Sequence, residues 1–61
     1  MSKSIIIYYL HPMYRVKMYY TANGWWSSDI NHAQHHWHHQ FKHILNDIHG
    51  IPHDSVKIEF V

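Results

Sequence analysis

Apolar residues follow two different periods along this chain. The run Ser4–Leu10 is almost entirely β-branched or aromatic, which is typical of a strand that is apolar on both faces. Residues 14–21 and 55–61 alternate apolar and polar positions, as expected for strands with one face toward a core. Gly24, after Asn23, predicts a turn with positive φ. The two ends of the chain are therefore predicted to form strands.

A helical period occupies the middle of the chain. Apolar residues recur there at steps of three and four over residues 29–49, which predicts one long amphipathic helix. Ser27, Ser28 and Asp29 carry short side-chain oxygens that suit a helix N-cap, and Gly50 followed by Pro52 ends the pattern. At ~1.5 Å per residue such a helix spans roughly 30 Å, enough to cross a sheet. Its apolar positions are Ile30, Ala33, Trp37, Phe41, Ile44, Leu45 and Ile48.

The element order predicts an α+β fold with a single ββαβ domain over residues 1–61. We expect a three-stranded antiparallel sheet in the order 2-1-3, with the long helix packed on one face. The first strand takes the centre because both of its faces are apolar; the order 1-2-3 is the alternative. The expected core residues are Trp37, Phe41, Ile44, Ile48, Val16, Met18, Ile58 and Phe60.

A single helix covers one face of such a sheet and leaves the other open. The open face would present alternate residues of the first strand, either from Ile5 to Tyr9 or from Ile6 to Leu10, inside a charged rim. An apolar, tyrosine-rich centre within a charged rim is typical of a protein-binding surface. Alternatively, the tyrosines are present only because they favour strands.

Two tryptophans and the sheet edges add further candidate contacts. Trp25 and Trp26 belong to a residue type enriched at binding hot spots; alternatively, one closes the core and the other covers a loop. The outer strands would offer backbone groups to a partner strand or to a second copy. We expect a larger protein partner, or a homodimer. The predicted partner-binding residues are Ile6, Tyr8, Arg15, Lys17, Tyr19, Trp25, Trp26, Lys57 and Glu59.

Histidine is unusually frequent in this chain. Nine of the 61 residues are histidine, and six of these fall in residues 32–43. Imidazoles one helical turn apart can share a zinc, nickel or copper ion, so a metal-binding module is an alternative function. Otherwise the histidines form a solvated polar face, and we expect no cofactor. The candidate ligands are His32, His35, His36, His39 and His43.

Composition narrows the classes of function. A net charge of +1 is not the excess expected of a nucleic-acid-binding protein. Weak binding of single strands by Lys3, Arg15, Lys17 and Lys57 beside tyrosines is a second alternative. The absence of cysteine excludes disulfides and thiolate chemistry. The longest apolar run is far shorter than the about 20 residues of a membrane span, so we expect a soluble, cytoplasmic protein.

No residues have the spacing of a catalytic motif, and we expect no enzyme. His43 and Asp47, one turn apart on the predicted helix, are expected to form a surface pair. In size, ββαβ order and lack of catalytic residues, the chain resembles small bacteriophage proteins that disable a host enzyme or act as antitoxins. The resemblance implies a non-enzymatic protein that inhibits or modulates a larger partner through the open sheet face and an edge strand.

Overall fold

The computed structural model describes residues 3–61, and residues 1 and 2 of the predicted domain lie outside the described residues. These described residues form a five-stranded antiparallel sheet with one short α-helix. The strands are β1 (Ser4–Leu10), β2 (Lys17–Tyr20), β3 (Trp26–Ser27), β4 (His36–Trp37) and β5 (Val56–Phe60), and the helix is α1 (Phe41–Asn46). Short 3-10 turns lie at Ile30–His32, His38–Gln40 and His53–Ser55.

The doubly apolar β1 lies at the centre of the sheet. On one side it pairs with β5, from Ile5 to Tyr9. On its other side β2 pairs with residues 8–10 of β1, and β4 pairs with Ser4 and Ile5. The short β3 extends the sheet beyond β2. Backbone partners therefore flank β1 along most of its length.

The predicted three-stranded sheet with one long helix is wrong. Of residues 29–49, only Phe41–Asn46 form an α-helix, and the preceding residues form 3-10 turns and β4. Local propensity is one reason. Among residues 29–40 only Ala33 and two glutamines are strong helix formers, and most of the others are histidines, β-branched or short polar residues. The apolar residues recur with a helical period, but most residues of this segment have weak helix propensity.

Strand pairing is the second reason why the long helix does not form. The short β2 leaves the first residues of β1 without partners on that side. Ile5 is fully buried, and buried backbone groups need hydrogen bonds. His36 of β4 pairs with Ile5, and the backbone N–H of His38 donates to the carbonyl of Lys3 at 2.7 Å. An extended segment is therefore required where the periodicity predicts helix.

Local signals at the turns are nonetheless present. Asp29 Oδ1 accepts a hydrogen bond from the backbone N–H of Asn31 at 2.9 Å, so one of the three candidate N-cap residues forms a cap, but it caps a 3-10 turn and not the predicted helix. That turn ends at Ala33, which is extended and bridges to Thr21. Gly24 has a φ of 82°, which confirms the predicted turn. Within residues 3–61, no helix is long and apolar enough to cross a membrane.

The core lies on both faces of β1. Ile5, Ile6 and Ile7 are at most 1% exposed. Ile5 and Ile7 pack with Ile48 and Val56, and side chains of α1 complete that layer. Of the predicted core residues, Ile48 is buried, whereas Met18, Phe41, Ile44 and Ile58 are partly buried. The prediction is wrong for Val16, Trp37 and Phe60, which are exposed.

Candidate protein-binding surface

Most of the predicted partner-binding residues lie together on the sheet face opposite α1, which we call the open face. Its members come from β1, β2 and β5, and the strand register brings them side by side, with Tyr8 opposite both Tyr19 and Lys57. Side chains opposite one another in antiparallel strands point to the same face. The open-face residues are Ile6, Tyr8, Lys17, Tyr19, Lys57 and Glu59.

The open face is not an exposed apolar patch. Ile6 is 1% exposed and Tyr19 is 7% exposed, so neither residue offers a surface to a partner. Lys17 Nζ donates to Glu59 Oε1 at 2.7 Å and also lies 4.8 Å from the Tyr8 ring centroid. The hydrogen bond to Glu59 raises the pKa of Lys17. Long polar side chains therefore cover the apolar centre that the pattern predicts to be open.

The other predicted partner-binding residues lie elsewhere. Trp26 is half-buried, with its ring 4.8 Å from Tyr9 and 5.2 Å from Tyr20 between centroids, and so belongs to the helix side of the sheet. Trp25 is exposed, and both tryptophans line a cavity of about 440 Å³ with Thr21. The tryptophans and the open face therefore form separate surfaces.

Among residues 3–61, the two most exposed apolar side chains, Met13 and Tyr14, lie on the loop between β1 and β2. We call Leu10, Met13, Tyr14 and Val16 the hairpin tip. Met13 is 75% exposed and Tyr14 is 69% exposed, and Leu10 and Val16 lie beside them at the loop ends. The sequence pattern predicts a strand over residues 14–21 with Val16 in the core, and no signal in the sequence identifies the tip.

The loop that carries the hairpin tip is held by hydrogen bonds. His11 Nδ1 accepts hydrogen bonds from the backbone N–H groups of Met13 and Tyr14, at 3.2 and 3.3 Å, which requires a neutral imidazole. The His11 backbone N–H donates to the Val16 carbonyl at 2.9 Å, and that of Arg15 donates to the His11 carbonyl at 2.8 Å. Arg15 adopts a positive φ of 56°. These bonds fix the loop conformation in which Met13 and Tyr14 are exposed.

The five candidate metal ligands do not share one helix. His32 lies in a 3-10 turn with Nδ1 3.2 Å from Ser27 Oγ, His36 lies in β4, and His43 lies in α1. His35 precedes β4, and His39 belongs to the 3-10 turn before α1. Over residues 3–61, no three His, Cys, Asp or Glu side chains are placed to hold a metal ion. The predicted spacing of these imidazoles, one helical turn apart, depended on the long helix, which residues 29–40 do not form.

His36 differs from the other candidate ligands because its side chain is partly buried. Its Nε2 atom is inaccessible to solvent and has no hydrogen-bond partner among the described residues. Burial lowers the pKa of His36, and the neighbouring His35 lowers it further. The ring packs 6.2 Å from the Tyr20 ring centroid. His36 is therefore a packed residue whose protonation is unfavourable.

Comparison with protein families, with curated proteins and with solved structures finds no match for this chain. The residues themselves must therefore support any functional conclusion.

The cations predicted to contact nucleic acid are divided between surfaces, since Lys3 Nζ lies 5.4 Å from the Phe60 ring centroid and Arg15 lies in the hairpin loop. The hairpin tip is the strongest candidate for a contact surface.

Proposed function

We propose that this protein is a non-enzymatic binding protein that inhibits or modulates a larger protein partner, with the hairpin tip as its principal contact. The observation that supports this proposal is the exposure of Met13 and Tyr14 on a loop held by hydrogen bonds. Aromatic residues and methionine are enriched in interface cores. An ordered loop also loses little conformational entropy on binding, which favours affinity.

The shape and charge of the tip indicate the kind of partner. Residues 11–16 lie beyond the last paired residues of the hairpin, Leu10 and Lys17, so Met13, Tyr14 and Val16 of the tip can enter a cleft. The exposed Arg15 adds a positive charge next to Tyr14. We propose a partner with an apolar cleft and an acidic rim, and a cytoplasmic site of action. Fractionation of cells that produce the protein tests the location.

Capture experiments with matched variants test this proposal. The tip variant is Tyr14→Ser, and the control is Ile30→Ser, which changes an exposed apolar residue on another surface. We expect wild type and the Ile30 variant to retain the same protein from a lysate, and the Tyr14 variant to lose it. With that protein purified, the Tyr14 variant should bind at least about tenfold more weakly by calorimetry.

Both variants should melt close to the wild-type temperature, because both side chains are exposed. Equal retention of the same partner by the Tyr14 variant would show that the tip is not the contact. A wild-type protein that retains no specific partner would contradict the proposal as a whole.

A further inference from the structure

β5 has one edge that is free of strand pairing. Its inner edge pairs with β1, and among the described residues no strand pairs with its outer edge. Phe60, near the end of β5, is 53% exposed. A free strand edge presents unpaired N–H and C=O groups and is a template for another strand. The outer edge of β5 is therefore available for strand addition.

The hydrogen-bond pattern shows which backbone groups face outward. The N–H of Val61 donates to the carbonyl of Ser4 at 3.0 Å, so this pair is of the hydrogen-bonded type. In antiparallel ladders hydrogen-bonded and non-hydrogen-bonded pairs alternate, which directs the backbone groups of residues 57 and 59 toward β1. The N–H and C=O groups of Val56, Ile58 and Phe60 consequently point away from β1.

The order of residues in β5 is self-complementary. When a second β5 is laid antiparallel with Ile58 opposite Ile58, Lys57 of each copy lies opposite Glu59 of the other. Val56 of each copy then lies opposite Phe60 of the other, so each outward-facing residue meets an outward-facing residue. Opposite charges in directly opposed positions stabilise a sheet, and such pairing fixes the register.

Neighbouring registers lack this complementarity. A shift by two residues, which keeps the same side chains on the same face, places Lys57 opposite Lys57 or Glu59 opposite Glu59. Like charges directly opposite one another are destabilising. Charge therefore selects the register centred on Ile58.

We propose that two copies of this chain associate through the outer edges of β5, antiparallel and centred on Ile58, into one continuous sheet. In this dimer Glu59 lies between Lys17 of its own chain, to which it is bonded at 2.7 Å, and Lys57 of the other chain. Association would also stabilise the folded state, because a chain of 61 residues buries on its own only about 60% of the surface that it exposes when unfolded. The dimer does not depend on the hairpin tip.

Two single charge reversals test this arrangement by sedimentation equilibrium of the full chain. In a dimer of the Lys57→Glu variant, a glutamate at position 57 of each copy lies opposite Glu59 of the other. In a dimer of the Glu59→Lys variant, a lysine at position 59 of each copy lies opposite Lys57 of the other. Each variant alone should associate at least about tenfold more weakly than wild type. An equimolar mixture should recover association as a heterodimer, because every opposed pair is then of opposite charge.

Lys42→Glu is the matched control, since Lys42 is exposed on α1 and should leave the wild-type dimer intact. Amide hydrogen exchange provides a measurement that needs no variant: exchange at Ile58 and Phe60 should slow as the protein concentration rises. A monomeric wild type would overturn the proposal. So would a dimer that neither reversal weakens, or weakened variants whose mixture does not recover.

Discussion

On the helix side of the sheet, Ile5 and Ile7 are covered by a separate part of the chain that includes Ile48. On the open face, Ile6 is buried to the same degree, but side chains of neighbouring strands cover it, with the Lys17–Glu59 ion pair among them. Lys17 and Glu59 keep about 40% of their side-chain surface in solvent. Equal burial is thus reached with a packed segment on one face and with long polar side chains on the other.

The two faces differ in how well the surrounding side chains can fill the space left when a buried side chain is shortened. Packed segments leave a cavity when a buried side chain is shortened, because the surrounding structure relaxes only partly. Lysine and glutamate side chains have flexible apolar stems and can move toward a vacated space. The open face should therefore tolerate changes that the helix side does not.

Shortening one isoleucine on each face gives the largest expected effect. Ile7→Ala should lower the free energy of unfolding by about 3–5 kcal/mol, and Ile6→Ala by about 2–3 kcal/mol. A loss of about 3–5 kcal/mol approaches the whole stability of a domain this small, so urea unfolding should find Ile7→Ala largely unfolded without urea and Ile6→Ala folded with a lower urea midpoint. If Ile6→Ala costs as much as Ile7→Ala, the cover on the open face is as rigid as the helix side.

Acid should act on the helix side through His36, with a smaller effect. Burial holds the pKa of His36 in the folded protein below its ordinary value of 6.5, and His35 lowers it further. Below about pH 6.5 the unfolded chain therefore binds more protons, and stability falls as pH decreases toward the folded-state pKa. Thermal melts should show a lower melting temperature at about pH 5 than at about pH 7.5.

His36→Leu removes the titrating group together with its unpartnered Nε2, so its loss of melting temperature in acid should be smaller than in wild type. His49→Gln changes an exposed histidine and should keep the full loss. An unchanged acid response in the His36 variant would place the sensitive group elsewhere.

Replacing Lys17 should have the smallest effect and separates the charge of the open-face cover from its apolar stem. Lys17→Ala removes both, whereas Lys17→Met retains a long apolar side chain over Tyr8 and removes the charge. Exposed ion pairs contribute little to stability, so the alanine variant should melt at a lower temperature than the methionine variant. Equal melting temperatures, both below that of wild type, would assign the contribution of Lys17 to its charge and none to its stem.

Sequence reasoning identified the mixed α/β content, the first strand and the turn at Gly24, but not the architecture. The bounds of β1 and its pairing with both β2 and β5 follow from a run of β-branched residues that needs cover on two sides. A cap within residues 27–29 was also predicted, and Asp29 forms it, since its short oxygen reaches a backbone N–H two residues on. These features depend on neighbouring residues or on one strong pattern.

The hairpin tip could not be located in the same way. Nothing in the residues from Leu10 to Val16 shows whether the fold covers them or leaves them exposed. Their exposure results from β2 beginning only at Lys17 and from the hydrogen bonds of His11, which hold the loop beyond the sheet. The site with the strongest support therefore became visible only in the folded chain.

The sequence by itself determined the local structure of this protein: β1, the positive-φ turn at Gly24, the cap at Asp29 and the alternation of β5. Tertiary structure alone decided that Ala33 would bridge to Thr21, that His36 and Trp37 would pair with β1, and that Lys17 and Glu59 would form an ion pair on the open face. The physical reason is that periodicity shows which side chains are apolar enough to be buried. It does not show which segment buries them, or which buried N–H and C=O groups still need hydrogen bonds, because both depend on strands distant in the chain.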